Sequence, residues 1–128
     1  MNINNNRVMG TLNFYGGTYT TLDSNAQNTI ISVGNNGGRL HIFAGAKVIG
    51  NRHGITVGTA NLTYAELTLR GKISGSVTAA GADLSKGFSS TITIDGGVIS
   101  GGIDLGKNNA ISLSGAPVIG GMGLKLAT

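Results

Sequence analysis

Apolar and polar residues alternate along the chain in short bursts, and the bursts return in a fixed order. Each begins with a strict alternation, meets a glycine, continues into a second apolar pair and reaches more glycine. This phrase occurs five times, at Thr11–Tyr19, Arg39–Val48, Glu66–Ile73, Thr91–Ile99 and Ala110–Val118. A further alternating segment follows each copy, at Ile31–Val33, Ile55–Val57, Val77–Ala79, Ile103–Leu105 and Leu124–Leu126. An apolar period of two predicts strands with one buried and one wet side, so each repeat predicts three short strands. Glycine and asparagine between them supply the positive-φ corners that β-branched residues resist.

The anchor residues Leu12, Leu40, Leu67, Ile92 and Ile111 are separated by 28, 27, 25 and 19 positions, so the period shortens toward the C-terminus. Self-similarity at this period, with three strands per repeat, predicts an all-β fold: a right-handed parallel β-helix (β-solenoid) of about five three-strand coils. Residues 1–128 are expected to form one domain, with 1–10 a lead-in and 11–128 the coils. The anchors then form one inward column, beside Phe14, Ile42, Leu69, Ile94 and Leu113. Tyr19, Val48, Ile73, Ile99 and Val118 are expected inward on the second strand, and the apolar residues of the third alternating segments on the third. A helical reading fails on the period and on the wealth of Gly, Thr, Ser and Asn. A β-sandwich fits less well, because its strands are usually longer and do not recur in a three-part phrase.

The segments IDGGVISGG (Ile94–Gly102), ISLSGAPVIGG (Ile111–Gly121) and GAKVIGN (Gly45–Asn51) resemble the pectate-lyase-like β-helix repeats of Gram-positive bacterial surface and adhesin proteins. The resemblance runs from Leu12 onward and is one of repeat pattern. It implies the β-helix fold and an adhesive, filamentous or polysaccharide-active protein; the superfamily alone does not choose among these.

Composition narrows the choice. Charged residues make up only 11%, far below the usual quarter, so the surface is expected to be rich in hydroxyls and amides. With 23 glycines, one proline and no three-residue glycine period, the chain is built of tight turns and is not collagen. The net charge of +4 comes from basic residues scattered singly, which argues against a nucleic-acid stripe and leaves only a mild bias toward anionic polymers. Cysteine is absent, excluding disulfides and Cys-based zinc sites. No window approaches the roughly 18 apolar residues of a membrane helix, so membrane insertion is not expected, and Met1–Met9 holds no apolar signal core.

The acids Asp23, Glu66, Asp83, Asp95 and Asp104 are too dispersed for the facing carboxylate pair that glycoside hydrolysis needs. Asp95 beside Arg70 reads as a surface salt bridge. His41 points outward in a column with Asn13, Thr68, Thr93 and Ser112, and His53 sits in a turn, with no third ligand near either. No catalytic, cofactor or metal site is therefore expected, and the chain is expected not to be an enzyme. The candidate ligand or contact surface is Tyr15, Phe43, Arg70 and Phe88: the first two are aromatic residues on adjacent repeats that suit stacking on a sugar ring, and Phe88 is the one phenylalanine of the long turns.

A solenoid exposes strand edges and half a core at each end unless capped. The last repeat, ending at Leu124–Thr128, is expected to be uncapped, which implies a longer array or copies pairing head to tail. The expected function is thus a structural or adhesive module, extracellular or at the cell surface, that self-associates through its ends, with a cell-surface glycan as a further partner. The alternatives are a carbohydrate-binding or polysaccharide-degrading β-helix protein and a phage tail-fibre segment.

Overall fold

The computed structural model describes residues 2–3, 11–20, 29–33, 38–57, 65–79 and 90–127. They form an all-β structure without helices among the described residues: twelve strands in one curled sheet. The strands are β1 (Asn2–Ile3), β2 (Thr11–Thr20), β3 (Thr29–Val33), β4 (Gly38–Val57), β5 (Ala65–Leu69), β6 (Lys72–Ala79), β7 (Thr91–Asp95), β8 (Val98–Ile99), β9 (Ile103–Leu105), β10 (Ala110–Ser114), β11 (Val118–Ile119) and β12 (Leu124–Leu126).

Every strand pairing is parallel. Parallel neighbours need a long connection, and here the other strands of the same repeat supply it. The pairing follows the repeat: Leu12 opposes Leu40, Leu40 opposes Leu67, Leu67 opposes Ile92, and Ile92 opposes Ile111. All five anchors therefore stand in one column despite their uneven spacing, because the surplus residues lie between strands and not within them. We call the strands of one repeat a rank. The ranks stack in three columns: β2, β4, β5, β7 and β10; the later part of β2 with β4, β6, β8 and β11; and β1, β3, β4, β6, β9 and β12.

Inside the curl, Leu40, Ile42, Val48, Leu67, Leu69, Ile73, Val77, Ile92, Ile94, Ile99 and Ile103 are buried, as the alternation predicts. Each such side chain contributes about 1.5–3 kcal/mol relative to exposure. A corner held open by a small residue lets the ranks close up. At Gly71, a Cβ would come within 2.5 Å of the Phe43 carbonyl oxygen and closer still to that of Ala46, so only glycine fits there. The N–H groups of Arg70 and Gly71 both donate to the Ile42 carbonyl, at 2.8 and 3.1 Å, fastening this corner to the rank before it.

Three expectations need correction. The strands of the early repeats are not all separate: β4 runs unbroken for 20 residues through all three columns. Its corners pair with the corners of the adjacent rank, Gly16 with Gly45 and Gly17 with Ala46, so the ladder bends without breaking, with one irregularity between Phe14 and Gly16. Val118 does not face inward. The register sets Ile119 against Ile99 and Val118 against Val98, because the Gly115–Pro117 corner is one residue longer than the Gly96–Gly97 corner. Finally, Leu113, Leu124 and Leu126 hold inward positions yet are 46%, 37% and 58% exposed, since no strand covers the last rank among the described residues.

Candidate functional site

Two surfaces stand out, and both follow from the register. The first is the outer face of the first column. In β2, β4, β5, β7 and β10 the residues that alternate with the inward ones point away from the core, so the register lines up Tyr15 and Phe43 at one level and brings Arg70, just after β5, together with Asp95 and Ser114 alongside. The rings of Tyr15 and Phe43 stack with centroids 4.6 Å apart at 26°, and the His41 ring also stacks with Phe43, at 3.8 Å and 20°. The Tyr15–Phe43 separation is that of aromatic pairs worth about 0.5–1.5 kcal/mol beyond their area. Histidine and phenylalanine meet because they are two residues apart on one strand and so share a face.

Polar contacts extend the row. A guanidinium N–H of Arg70 donates to His41 Nε2, and Arg70 Nε donates to Asp95 Oδ2 at 3.0 Å. Ser114 Oγ donates to Asp95 Oδ1 at 3.2 Å. The row Tyr15, Phe43, His41, Arg70, Asp95, Ser114 thus touches every rank. Beside it, Arg39 Nε donates to Glu66 Oε2 at 2.7 Å. Both ion pairs are well exposed, and such pairs are worth about 0–1 kcal/mol each.

Arginine has only donors, so the contact with His41 requires an unprotonated Nε2. Burial, and then the adjacent Arg70 charge, lower the His41 pKa from its ordinary 6.5. The imidazole is accordingly neutral at pH 7 and holds its proton on Nδ1. Chemically the row is a fastening: its carboxylate, Asp95, accepts from Arg70 and Ser114, and its imidazole accepts from Arg70. Tyr15, 69% exposed, is its open end.

The second surface is the open edge of the last rank. β10, β11 and β12 each pair on one side only among the described residues. Their inward residues form an apolar rim in which Leu113, Leu124 and Leu126 are exposed, with Met122 in the intervening turn also exposed. The corner before β11 carries Ala116 at a φ of 54°, a left-handed conformation that costs a residue with a Cβ about 1–2 kcal/mol.

Of the sequence candidates, Tyr15, Phe43 and Arg70 come together in the outer row, and Phe88 lies outside the described residues. Residues 21–28, 58–64 and 80–89 of the long turns lie outside them as well, and His53 does not sit in a turn: it belongs to β4, in register with Thr29 and Ser76. Asp95 pairs with Arg70 as expected, and Asp104 stands in the third column, away from it. Sequence reasoning missed the bridging role of His41 and the pairing of Arg39 with Glu66. The signal for the first was its two-residue spacing from Phe43 together with the anchor register, which sets His41 against Thr68, two residues before Arg70. The signal for the second was the same register, which sets Arg39 against Glu66. No family model matches the chain, and neither a curated protein nor a solved structure is significantly similar to it.

Proposed function

We propose that the chain is a right-handed parallel β-solenoid of about five coils that serves as a non-enzymatic structural or adhesive module, extracellular or at the cell surface, lengthened by end-to-end stacking of copies. The observation that carries this reading is the open apolar edge. Leu113 is 46% exposed where its column neighbours Ile94 and Leu69 are 0% exposed, so another rank of the same pattern is what would complete the last one. Three further features support it: parallel pairing in step with the repeat, a right-handed crossover preference for parallel strands, and an outer row whose acids are held by arginines. An unpaired parallel edge is a template for further strand addition, and a head-to-tail contact of this kind does not close on itself.

Sedimentation velocity and electron microscopy over a concentration series test the proposal. Elongated species should grow with concentration, and Leu113→Asp should suppress them while leaving the β-type circular dichroism intact. A protein that stays strictly monomeric at its highest soluble concentration overturns the reading. A discrete trimer of fixed size would instead favour a tail-fibre segment.

The exposed Tyr15 stacked on Phe43 favours a second reading, a glycan-binding surface on the outer face. Retention on a glycan array that Tyr15→Ala abolishes would support it, and uniform non-binding would remove it.

A further inference from the structure

We propose that β1 is a removable cap on β3, and that the strand replacing it is β12 of a second copy. The inference rests on end-to-end stacking and names the exchange by which stacking takes place. It starts from the unequal columns: the first and second hold five strands each, but the third holds six, from β1 to β12.

When a second copy continues the stack with its β2 beside β10, its β3 falls one level beyond β12. The edge of β3 that β12 then needs is the one its own β1 occupies. One of the two strands has to leave. β1 is the weaker occupant: it holds β3 by two registered pairs, Asn2 with Ser32 and Ile3 with Val33. β12 offers three positions, Leu124, Lys125 and Leu126, in the apolar-polar-apolar order of Ile31, Ser32 and Val33. It already pairs in that order with Ile103, Asp104 and Leu105 of β9.

The exchange brings the rest of the edge into the internal register. Ile111 meets Leu12, Leu113 meets Phe14, Ser112 meets Asn13 and Ile119 meets Tyr19, so apolar positions face apolar ones. No like charges are brought together at these positions, and Lys125 comes to stand by Ser32. This is strand addition at a sheet edge, with main-chain bonds supplying affinity and alternate side chains the register. β1 sits on the same chain as β3, and the seven residues 4–10 that tether it to β2 give it an effective concentration on the order of millimolar. β1 therefore sets a threshold: copies stay apart when dilute and stack once β12 of another copy outcompetes it.

The test uses paired thiols, which are unique in a chain without cysteine. Adjacent strands lie about 4.8 Å apart, within the Cα separation a disulfide spans. Asn2→Cys with Ser32→Cys locks β1 in place. When oxidised, this variant should begin to assemble only at about tenfold higher concentration than the unaltered chain, and reductant should restore the original onset. Ile3→Asp, which weakens the cap, should lower the onset about threefold or more. Ser32→Cys with Lys125→Cys should give a ladder of disulfide-linked copies within the assemblies. Equal onset for the locked and reduced forms, or assemblies that form without the Ser32–Lys125 crosslink, overturn the exchange while end-to-end stacking stands. If the unaltered chain and the Ile3→Asp variant both remain monomeric throughout, stacking itself falls and the exchange with it.

Discussion

Strands β2 and β10 occupy equivalent places at opposite ends of the first column, each with one neighbour only among the described residues, yet their inward residues fare differently. Phe14 in β2 is 5% exposed and Leu113 in β10 is 46% exposed. At the first end, Tyr19 folds back: its ring stacks on Phe14 with centroids 4.3 Å apart at 14°, and its hydroxyl donates to the Gly16 carbonyl at 2.7 Å. At the last end, the register equivalent of Tyr19 is Ile119, which is too short to reach over Leu113 and carries no polar group to anchor it. An edge strand with an apolar inner face can be closed by its own chain if an aromatic residue with a hydrogen-bonding end stands at the next corner; otherwise the face stays open.

The sharpest break in this comparison sets the interior against the open end. Leu69→Ala and Leu113→Ala remove the same atoms from the same column, but the first leaves a cavity between ranks and should cost about 3 kcal/mol, whereas the second should cost less than about 1 kcal/mol. Urea unfolding of the two variants measures the difference directly. Equal costs would mean that the last rank is as well packed as the interior.

Removing the aromatic cover comes next. Tyr19→Ala should destabilise the chain by about 2 kcal/mol, since it uncovers Phe14 as well as losing its own contacts. The reciprocal change, Ile119→Tyr, should protect Leu113 and reduce end-to-end assembly with little effect on stability, which light scattering and thermal unfolding together would read.

The corner at the open end is strained where interior corners use glycine. Ala116→Gly should therefore raise stability by up to about 1 kcal/mol, the relief of a left-handed conformation set against the greater freedom of an unfolded glycine. Thermal unfolding checks the sign.

The smallest effect concerns the outer row that ties the ends together. The folded-state pKa of His41 is lowered, so the native state binds fewer protons than the unfolded chain just below 6.5. Its contribution is present above pH 6.5 and is lost as pH falls through the lowered value. Urea midpoints should fall between pH 7 and pH 5, and His41→Gln should flatten that dependence. Arg70→Gln should move the NMR titration midpoint of His41 part of the way back toward 6.5, since burial, the larger cause, remains.

Much of this was legible from the alternation. Strand positions, the anchor column and the pairing of Arg70 with Asp95 follow from a period of two and from the spacing of Leu12, Leu40, Leu67, Ile92 and Ile111, because inward and outward faces are fixed once alternating strands are aligned. The misplacement of Val118 shows where that logic ends. A corner one residue longer turns the next strand by half a pleat, and alternation cannot count corner residues that leave the ladder. The union of three expected strands into β4 was hidden for a related reason: a glycine marks a bend, but only a stacked corner on the adjacent rank decides whether the hydrogen-bond ladder passes through it.

By itself, then, the sequence determined which residues alternate, which glycines give the chain room to turn and which repeats match, all of them properties of short stretches of chain. The tertiary structure decided which matching residues are buried. Ile94 and Leu113 stand in the same phrase and column, and differ only in whether a strand lies on both sides. It also decided that His41 stacks on Phe43 and bonds to Arg70, that Tyr19 closes one end, and that β1 pairs with β3. Burial and contact depend on neighbours distant in the chain, and the hydrophobic effect acts on area removed from water and not on pattern.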